Sequence, residues 1–178
     1  MYGTLLQNYS TLKRAANYKK QTGRDSLVYP IAMQMRRVVE TSADYESASN
    51  FLKNADSPTG NYVVLTGKTN SQGIVLTRDR FHSDTQTVTS QEAYNEDWYI
   101  LQTNYDWWNE APYEHRNTTR RAGGRQAMND IGENSISSES LFKVFSTWPV
   151  ENRHTIYTTI MIPATGFYET KLRYNFSN

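Results

Sequence analysis

Apolar residues near residue 30 recur at the spacing of helices. In "SLVYPIAMQMRRVVE", residues 26–40, they are separated by steps of four, four and three, which predicts one buried helical face made of Leu27, Ile31, Met35 and Val38. Pro30 fits the first turn of this helix, where its missing N–H is not needed. The next stretch, "SADYESASNFLKNA", predicts a second helix with Ser42 as its N-cap and an apolar stripe made of Tyr45, Ala48, Phe51 and Leu52.

Strand patterns follow in the middle of the chain. "NYVVLTGKTNSQGIVLTRDR", residues 61–80, contains two β-branched runs separated by a Gly-containing turn, which predicts a hairpin. "DTQTVTS", residues 84–90, predicts a third strand. "DWYILQTNYDWW", residues 97–108, predicts a fourth strand that is longer and more aromatic than the others.

The last part of the chain returns to helices and ends in a hairpin. "NEAPYEHRNTTRRAGGR", residues 109–125, predicts a polar loop that leads into a helix in "RQAMNDIG". "SISSESLFKVFSTWP" predicts a short helix capped by Ser137 or Ser138 and stopped by Pro149. "RHTIYTTIMIP" and "GFYETKLRYN" predict two strands with a turn around Gly166. The order of helix pair, four strands, helix pair and hairpin predicts an α+β layer sandwich.

The composition is typical of one compact domain. The chain has 178 residues, of which 37% are hydrophobic, and its formal charge is +1. We expect residues 1–25, which lack periodicity, to be poorly ordered and residues 26–178 to form the domain. The balanced charge favours neither nucleic acid nor an anionic membrane as a partner. No stretch approaches the roughly 18 apolar residues of a membrane span, so the chain is expected to be soluble.

Several kinds of chemistry are excluded by residue type and spacing. The sequence contains no cysteine, which excludes disulfides, thiolate metal sites and a cysteine nucleophile within these residues. "TGKT" lacks the earlier glycine of a phosphate-binding loop, because residue 62 is tyrosine. The acidic residues Asp79, Asp84 and Asp97 are expected to be solvated turn residues. A metal site is not expected, because no HExxH motif or i, i+4 pair occurs among His82, His115 and His154.

The predicted fourth strand ends in polar residues. Alternation places Gln102, Asn104 and Asp106 on one face, so this face becomes polar toward its C-terminal end. An amide there can donate an N–H to a developing oxyanion, as acyl-transfer sites require. The alternative is a structural asparagine that caps the following loop. That loop contains four arginines, which can bind a phosphate or carboxylate or can simply be solvated: Arg116, Arg120, Arg121 and Arg125.

Six stretches in a fixed order resemble one family. They are "GIVLTRDR", "WYILQTNYDWW", the arginine-containing loop after it, "VFSTWPV", "TIYTTIM" and "FYETKLR". In this order and spacing they resemble the C-terminal half of acid ceramidase and of its relative N-acylethanolamine acid amidase, and the resemblance runs from about residue 26 to residue 173.

The resemblance implies an N-terminal nucleophile hydrolase, which has an αββα sandwich of two stacked sheets flanked by helices and is here incomplete at its N-terminal side. In that family a cysteine thiolate attacks the amide carbonyl, its own α-amine transfers the proton, and water then hydrolyses the acyl-enzyme. No metal or other cofactor is implied.

The resemblance also assigns two site residues. The asparagine of the family's "QTNYD" is Asn104, whose implied role is to stabilise the oxyanion. The family's loop arginine corresponds to Arg116 in "YEHRNTT". This second match is poorer, because the family's following arginine is Asn117 here, and Arg120 is therefore an alternative for the same role.

The family's nucleophile lies upstream of every stretch that matches. We therefore interpret the chain as the C-terminal portion of an amidase for fatty-acid amides whose cysteine is missing, and we expect the chain alone to be inactive. The alternative is a catalytically inactive relative that binds a lipid or a protein partner. The implied partners are a fatty-acid amide lipid, the missing nucleophile segment or subunit, and a lipid-membrane surface; nucleic acid is not expected. The resemblance implies a lysosomal location, with weak support from glycosylation sequons at Asn8, Asn117 and Asn175.

Overall fold

The computed structural model describes residues 29–88, 98–108 and 116–173, without the side chains of residues 116–119. The prediction that residues 1–25 are poorly ordered lies outside these ranges, as do Leu27, Asp97 and His115. The chain divides into two compact units, Met1–Leu65 with Val75–Thr85 and Thr66–Ile74 with Gln86–Asn178. Among the described helices, none combines the length and the apolar character that crossing a bilayer requires.

Two helices near residue 30 confirm the first part of the pattern. Helix α1 is Ile31–Thr41 and helix α2 is Tyr45–Asn54. Both predicted faces contain buried residues, Val38 in α1 and Leu52 in α2. The periodicity did not predict that Gln34 is also buried, where its Nε2 donates to the backbone oxygens of residues 29 and 56 at 3.1 and 2.7 Å. These hydrogen bonds offset the cost of burying an amide.

The predicted N-cap of α2 was wrong. Asp44, not Ser42, caps the helix: its carboxylate accepts from the backbone N–H of Ser47 at 2.8 Å, and the Ser47 hydroxyl accepts from the N–H of Asp44 at 3.1 Å. This reciprocal capping box satisfies two helix-end donors, which a serine two residues earlier could not reach. Ser42 instead ends α1.

A three-stranded sheet follows, and it confirms the predicted hairpin and third strand. Its strands are β1 Asn61–Thr66, β2 Gly73–Arg78 and β3 Ser83–Thr87, in the order β1-β2-β3. "TGKT" lies in the turn between β1 and β2, where the N–H of Gly67 donates to the carbonyl of Gln72 at 2.7 Å. Asp79, between β2 and β3, accepts from the N–H groups of residues 81 and 82, which lowers its pKa to about 2. Its side chain therefore stabilises a turn.

The prediction of a regular fourth strand was wrong. In residues 98–108 the chain forms a single strand bridge at Tyr99 and a bend at residues 104–105. The two-residue alternation consequently fails, since Tyr99 is buried while its neighbours 98 and 100–103 are all half-buried. The physical reason is that side chains bind the backbone oxygens. Gln102 donates its amide hydrogens to nearby carbonyls, and Arg121 donates to the carbonyl of Tyr105, 16 residues earlier in the chain; such bonds compete with a strand ladder.

The prediction of a loop at residues 116–125 was also wrong. Helix α3 is Arg116–Ile131 and includes both glycines of "RRAGGR". Glycine disfavours helix interiors, but here it permits close packing within the second unit. A Cβ on Gly123 would lie 3.0 Å from Pro149 Cδ, and one on Gly124 would lie 3.1 Å from Leu101 Cδ2. Tertiary contact thus overrides local propensity.

The end of the chain follows its pattern closely. A short 3-10 helix, Glu133–Ser135, precedes helix α4, Ser138–Phe145, whose N-cap is Ser137 as predicted. Strands β4 Tyr157–Ile162 and β5 Phe167–Leu172 form an antiparallel hairpin, and Gly166 in its turn has φ +72°, a conformation that favours glycine. Helices together with antiparallel strands confirm the α+β class.

One face of the β4–β5 hairpin exposes large apolar side chains. Tyr157 lies opposite Leu172, and Met161 lies opposite Tyr168. The exposed fractions of these four side chains are 61, 79, 64 and 67%, respectively. The opposite face buries Ile160. The hydrogen-bonded pair Thr159 and Thr170 lies between the two apolar pairs. Exposed apolar side chains grouped in this way are typical of a surface that another element or molecule covers.

We expect the isolated chain to self-associate through this hairpin face. The double variant Met161→Lys/Tyr168→Lys places two charges on the face and should shift sedimentation toward the monomer. The control variant Val39→Lys/Val64→Lys changes two apolar residues that are exposed elsewhere and should leave the sedimentation profile unchanged. A wild-type chain that sediments as a monomer at all concentrations would contradict this expectation.

Candidate functional site

Asn104 lies at the bend in residues 98–108, and its side chain is exposed. Its Oδ1 accepts a hydrogen bond from Nη2 of Arg120 at 3.0 Å. The two residues are 16 positions apart in the sequence. The structure therefore brings together the predicted amide and one of the two candidate arginines.

Both candidate arginines belong to α3, not to a loop. Arg116 is the first residue of α3, and Arg120 follows four positions later, which is about one helical turn. The described contact with Asn104 is made by Arg120; the side chain of Arg116 lies outside the described atoms. Arg120, the alternative that the sequence left open, thus contacts Asn104.

The next residue of α3 contacts the backbone that follows Asn104. Arg121 Nη2 donates to the carbonyl oxygen of Tyr105 at 2.6 Å and to that of Asp106 at 3.2 Å. A guanidinium can bridge two acceptors because its donors have a fixed planar arrangement. Consecutive arginines on one helix thus bind the side chain of residue 104 and the backbone of the next two residues.

Gln102 contacts the same bend. Its Nε2 donates to the carbonyl of Thr103 at 2.8 Å and to the carbonyl of Tyr105 at 2.9 Å. These two carbonyls belong to the residues on either side of Asn104. The sequence placed Gln102 on the polar face and Arg121 in the arginine cluster, but it did not predict that both bind backbone oxygens, which carry no signature in the sequence.

The site is supported by a small apolar core in the second unit. Tyr99, Met128 and Val144 form its buried centre, from the segment that carries Asn104 and from helices α3 and α4. The Tyr99 hydroxyl donates to Asn129 Oδ1 at 3.0 Å. Since Tyr99 lies five residues before Asn104 and Met128 lies on the helix that carries Arg120, this core anchors both parts of the site.

The contact with Arg120 determines how the Asn104 amide is oriented. A guanidinium has donors and no acceptor, so only the oxygen end of the amide can face it. The NH₂ end then lies on the opposite side of the amide group. That end of the amide carries its two N–H donors.

Other candidate chemistry is not found in the described part of the chain. Within the described ranges there is no cluster of three or more metal-ligating side chains, and His82 binds Asp79 in a surface turn. A cavity of about 580 Å³ lies beside the turn after α4, with Trp148, Glu151, Arg153 and Arg173 among its lining residues. Asn104 and Arg120 do not line this cavity.

Comparison with known proteins gives consistent relatives. The chain is 35% identical to human acid ceramidase over 143 residues, which is 80% of this chain and 35% of the ceramidase. It is 33% identical to the N-acylethanolamine-hydrolyzing acid amidase of Rattus norvegicus over 135 residues, 76% of this chain and 36% of the amidase. No protein-family model matches the sequence. The chain thus spans about a third of the length of these relatives.

A solved structure shows the same fold. The Caenorhabditis elegans ortholog of N-acylethanolamine-hydrolyzing acid amidase superposes with a TM-score of 0.65 over 92% of this chain and 61% of the chain in that structure, at 21% sequence identity. This confirms the predicted fold class, α+β with the N-terminal nucleophile hydrolase fold. The chain is homologous, over 80% of its length, to the acid ceramidase and N-acylethanolamine acid amidase family, and its match fits the C-terminal part of that family's proteins.

Proposed function

We propose that this chain is the C-terminal portion of an acid-ceramidase-like amidase that hydrolyses the amide bond of fatty-acid amides, either ceramide or N-acylethanolamines. Its cysteine nucleophile would be supplied by a segment that this sequence does not contain. The relatives named above are amide-hydrolysing enzymes by their names. The observation that carries the proposal is the 3.0 Å contact between Arg120 and Asn104 at an exposed bend.

In the proposed reaction the thiolate of that cysteine attacks the carbonyl carbon of the substrate amide. The carbonyl oxygen becomes an oxyanion, and the Asn104 amide stabilises it by donating an N–H. The C–N bond then breaks, and the amine leaves with a proton from the α-amine of the cysteine. Water hydrolyses the resulting thioester to a fatty acid and regenerates the thiol. No step requires a metal or other cofactor.

The arginine role has two candidates. The resemblance assigns it to Arg116, and the contact with Asn104 favours Arg120. A guanidinium bound to the amide oxygen polarises the amide and strengthens its N–H donors, because linked hydrogen bonds polarise one another. We propose that Arg120 fills the arginine role by orienting and polarising Asn104. Arg116, at the start of α3, is the alternative candidate for the same role.

A lysosomal location and association with a lipid surface belong to the same proposal. They rest on the resemblance and on the sequons at Asn8, Asn117 and Asn175. Asn117 falls in the first turn of α3, and the other two lie outside the described residues. Mass spectrometry of the protein from its native cells, with and without glycosidase treatment, tests the sequons directly.

The second candidate function is a catalytically inactive relative that binds a lipid or a protein. The absence of cysteine from all 178 residues favours it. The exposed apolar face of β4–β5 also fits a binding role, since such a face requires a cover.

One experiment separates the two candidates. The messenger RNA is sequenced upstream of the codon for Met1, and the chain is expressed alone and joined to whatever in-frame segment is found. We call the second product the cysteine-bearing form if that segment contains a cysteine. Both are assayed with a fluorogenic fatty-acyl amide at acidic pH. We expect no turnover by the chain alone and turnover with a burst by the cysteine-bearing form, lost on replacing the cysteine by alanine.

Two outcomes would count against the amidase. One is a complete transcript with no upstream cysteine codon, together with no activity in a mixture with cell extract that supplies other subunits. The other is a cysteine-bearing form that binds fatty-acyl amides but does not cleave them. Either result favours the binding protein.

A further inference from the structure

The bend that carries Asn104 is held by side chains. Residues 100–108 form no strand, so the backbone has no ladder to fix it. Four hydrogen bonds take the place of the ladder: Gln102 Nε2 donates to the carbonyls of Thr103 and Tyr105, and Arg121 Nη2 donates to the carbonyls of Tyr105 and Asp106. An exposed irregular segment without such bonds would open locally at low free-energy cost.

Gln102 and Arg121 bind overlapping sets of carbonyls in the bend. Gln102 belongs to the segment itself and binds the carbonyls before and after Asn104. Arg121 reaches from α3 and binds the two carbonyls after it, at 2.6 and 3.2 Å. Together they restrain residues 103, 105 and 106. The helix also binds the side chain of Asn104, through Arg120.

The close approach of α3 makes this arrangement possible. Gly124 lies one turn after Arg120, and a Cβ at this position would be 3.1 Å from Leu101 Cδ2 and 3.7 Å from Val150 Cγ2. The helix can therefore pack against the segment three residues before Asn104. Because the helix is held close there, the guanidinium groups of residues 120 and 121 reach the bend directly.

We propose that Gln102 and Arg121 are positioning residues, which hold the backbone of the bend so that the Asn104 amide stays aimed at the reacting carbonyl. This inference rests on the proposed amidase function. Neither residue needs to touch the substrate. Instead, they fix the position of the Asn104 amide, which stabilises the oxyanion best when its N–H donor lies about 2.7–3.1 Å away. A displacement of the amide by about 1 Å can lower the rate of hydrolysis about 100-fold.

A positioning role differs measurably from a role in stability alone. Loss of stability lowers the number of active molecules, which lowers the burst amplitude but leaves the turnover of each active site unchanged. Misplacement of Asn104 lowers kcat per titrated site and leaves KM nearly unchanged, because the transition state is affected and substrate binding is not. The burst amplitude therefore normalises the rate.

The experiment uses two variants and two matched controls. Gln102→Met and Arg121→Met remove the donors at nearly constant size, while Gln126→Met and Arg153→Met remove the same groups at exposed positions of the same unit. In the cysteine-bearing form, we expect kcat per titrated site to fall about 10-fold in each test variant, with KM changed less than about 2-fold. The controls should retain wild-type kcat.

The second measurement needs no activity. Hydrogen exchange of the backbone amides at residues 103–107, followed by mass spectrometry of the 178-residue chain, should become about 10-fold faster in both test variants. Exchange in β4, Tyr157–Ile162, should be unchanged and shows that each variant is folded. If Arg121→Met does not fold, Arg121→Lys keeps the charge with a single donor group and should give an intermediate exchange rate.

The two measurements separate the possible failures. Unchanged exchange at residues 103–107 in both test variants would overturn the positioning proposal, whatever the activity. Faster exchange with unchanged kcat per site would overturn it as well, since the bend would then be irrelevant to the reaction. A wild-type cysteine-bearing form without turnover would reject the amidase function, and the exchange result would then decide on its own whether these residues hold the bend.

Discussion

Asn104→Ala is expected to lower kcat of the cysteine-bearing form by about 100- to 1,000-fold, the usual effect of removing one side-chain donor from an oxyanion site. The substitution leaves the backbone bonds of Gln102 and Arg121 in place, because they involve the carbonyls of residues 103, 105 and 106. The side chain is exposed, so stability should hardly change. KM should change much less than kcat, since the donor acts mainly in the transition state.

Asn104→Asp sharpens this expectation. The carboxylate has the same size and can still accept from Arg120, but it offers no N–H to an oxyanion and adds a negative charge beside it. We expect it to be at least as inactive as the alanine variant. Arg120→Met leaves the amide present but unoriented, and kcat should fall by a smaller factor of about 10. Asn134→Ala, at an exposed position after α3, is the control.

The assay is a steady-state rate with active-site titration, using both a ceramide and an N-acylethanolamine substrate. An Asn104→Ala form that retains nearly wild-type kcat would remove this residue from the site. Comparison of Arg116→Met with Arg120→Met then decides which arginine acts. Equal losses in both would show that the two guanidinium groups share the role.

The elements that the sequence predicted correctly are those fixed by local chemistry. The cap at Ser137, the hairpin turn at Gly166 and the turn between β1 and β2 each depend on residues within a few positions of one another. Such signals are readable because a hydroxyl cap or a positive φ requires particular residue types. The N-cap of α2 was misplaced by two residues for the same local reason, since both serine and aspartate are suitable caps.

The elements that were wrong depend on contacts distant in sequence. Residues 97–108 have strand composition, but Gln102 and Arg121 bind the carbonyls that a neighbouring strand would have used. Residues 116–125 have loop composition, but Gly124 is helical because it packs against Leu101, 23 positions away. Neither partner can be identified from a pattern with a period of two or 3.6 residues.

In the candidate site, too, features with a local signature in the sequence were predicted and contacts between distant residues were not. Asn104 could be assigned from its motif, and the choice between Arg116 and Arg120 could be posed but not resolved. The described contact joins residues 104 and 120 across the packing of α3 on the preceding segment, and the side chain of Arg116 lies outside the described atoms. Gln102 and Arg121 act through backbone oxygens, which every residue possesses, so their contacts with the bend could not be predicted from the sequence.

Tyr99→Ala should give the largest loss of stability in the second unit. The ring is 9% exposed and packs with Met128 and Val144 in the core beneath the site. Its hydroxyl also donates to Asn129 Oδ1. Truncation of a buried aromatic side chain to alanine costs about 3–5 kcal/mol, which is a large part of the roughly 5–15 kcal/mol that stabilises a typical domain.

Urea denaturation at two protein concentrations measures this loss and separates it from self-association. Tyr157→Ala is the matched control, because that ring is 61% exposed, and it should change the free energy of unfolding by less than about 0.5 kcal/mol. Tyr99→Phe isolates the hydroxyl and should cost about 0.5–1.5 kcal/mol. A Tyr99→Ala chain as stable as the Tyr157→Ala chain would contradict the core described here. In the cysteine-bearing form, Tyr99→Ala should reduce the burst amplitude more than kcat per titrated site, because Tyr99 holds the whole segment in the fold. Gln102→Met should have the reverse effect, because Gln102 holds only the bend within that segment.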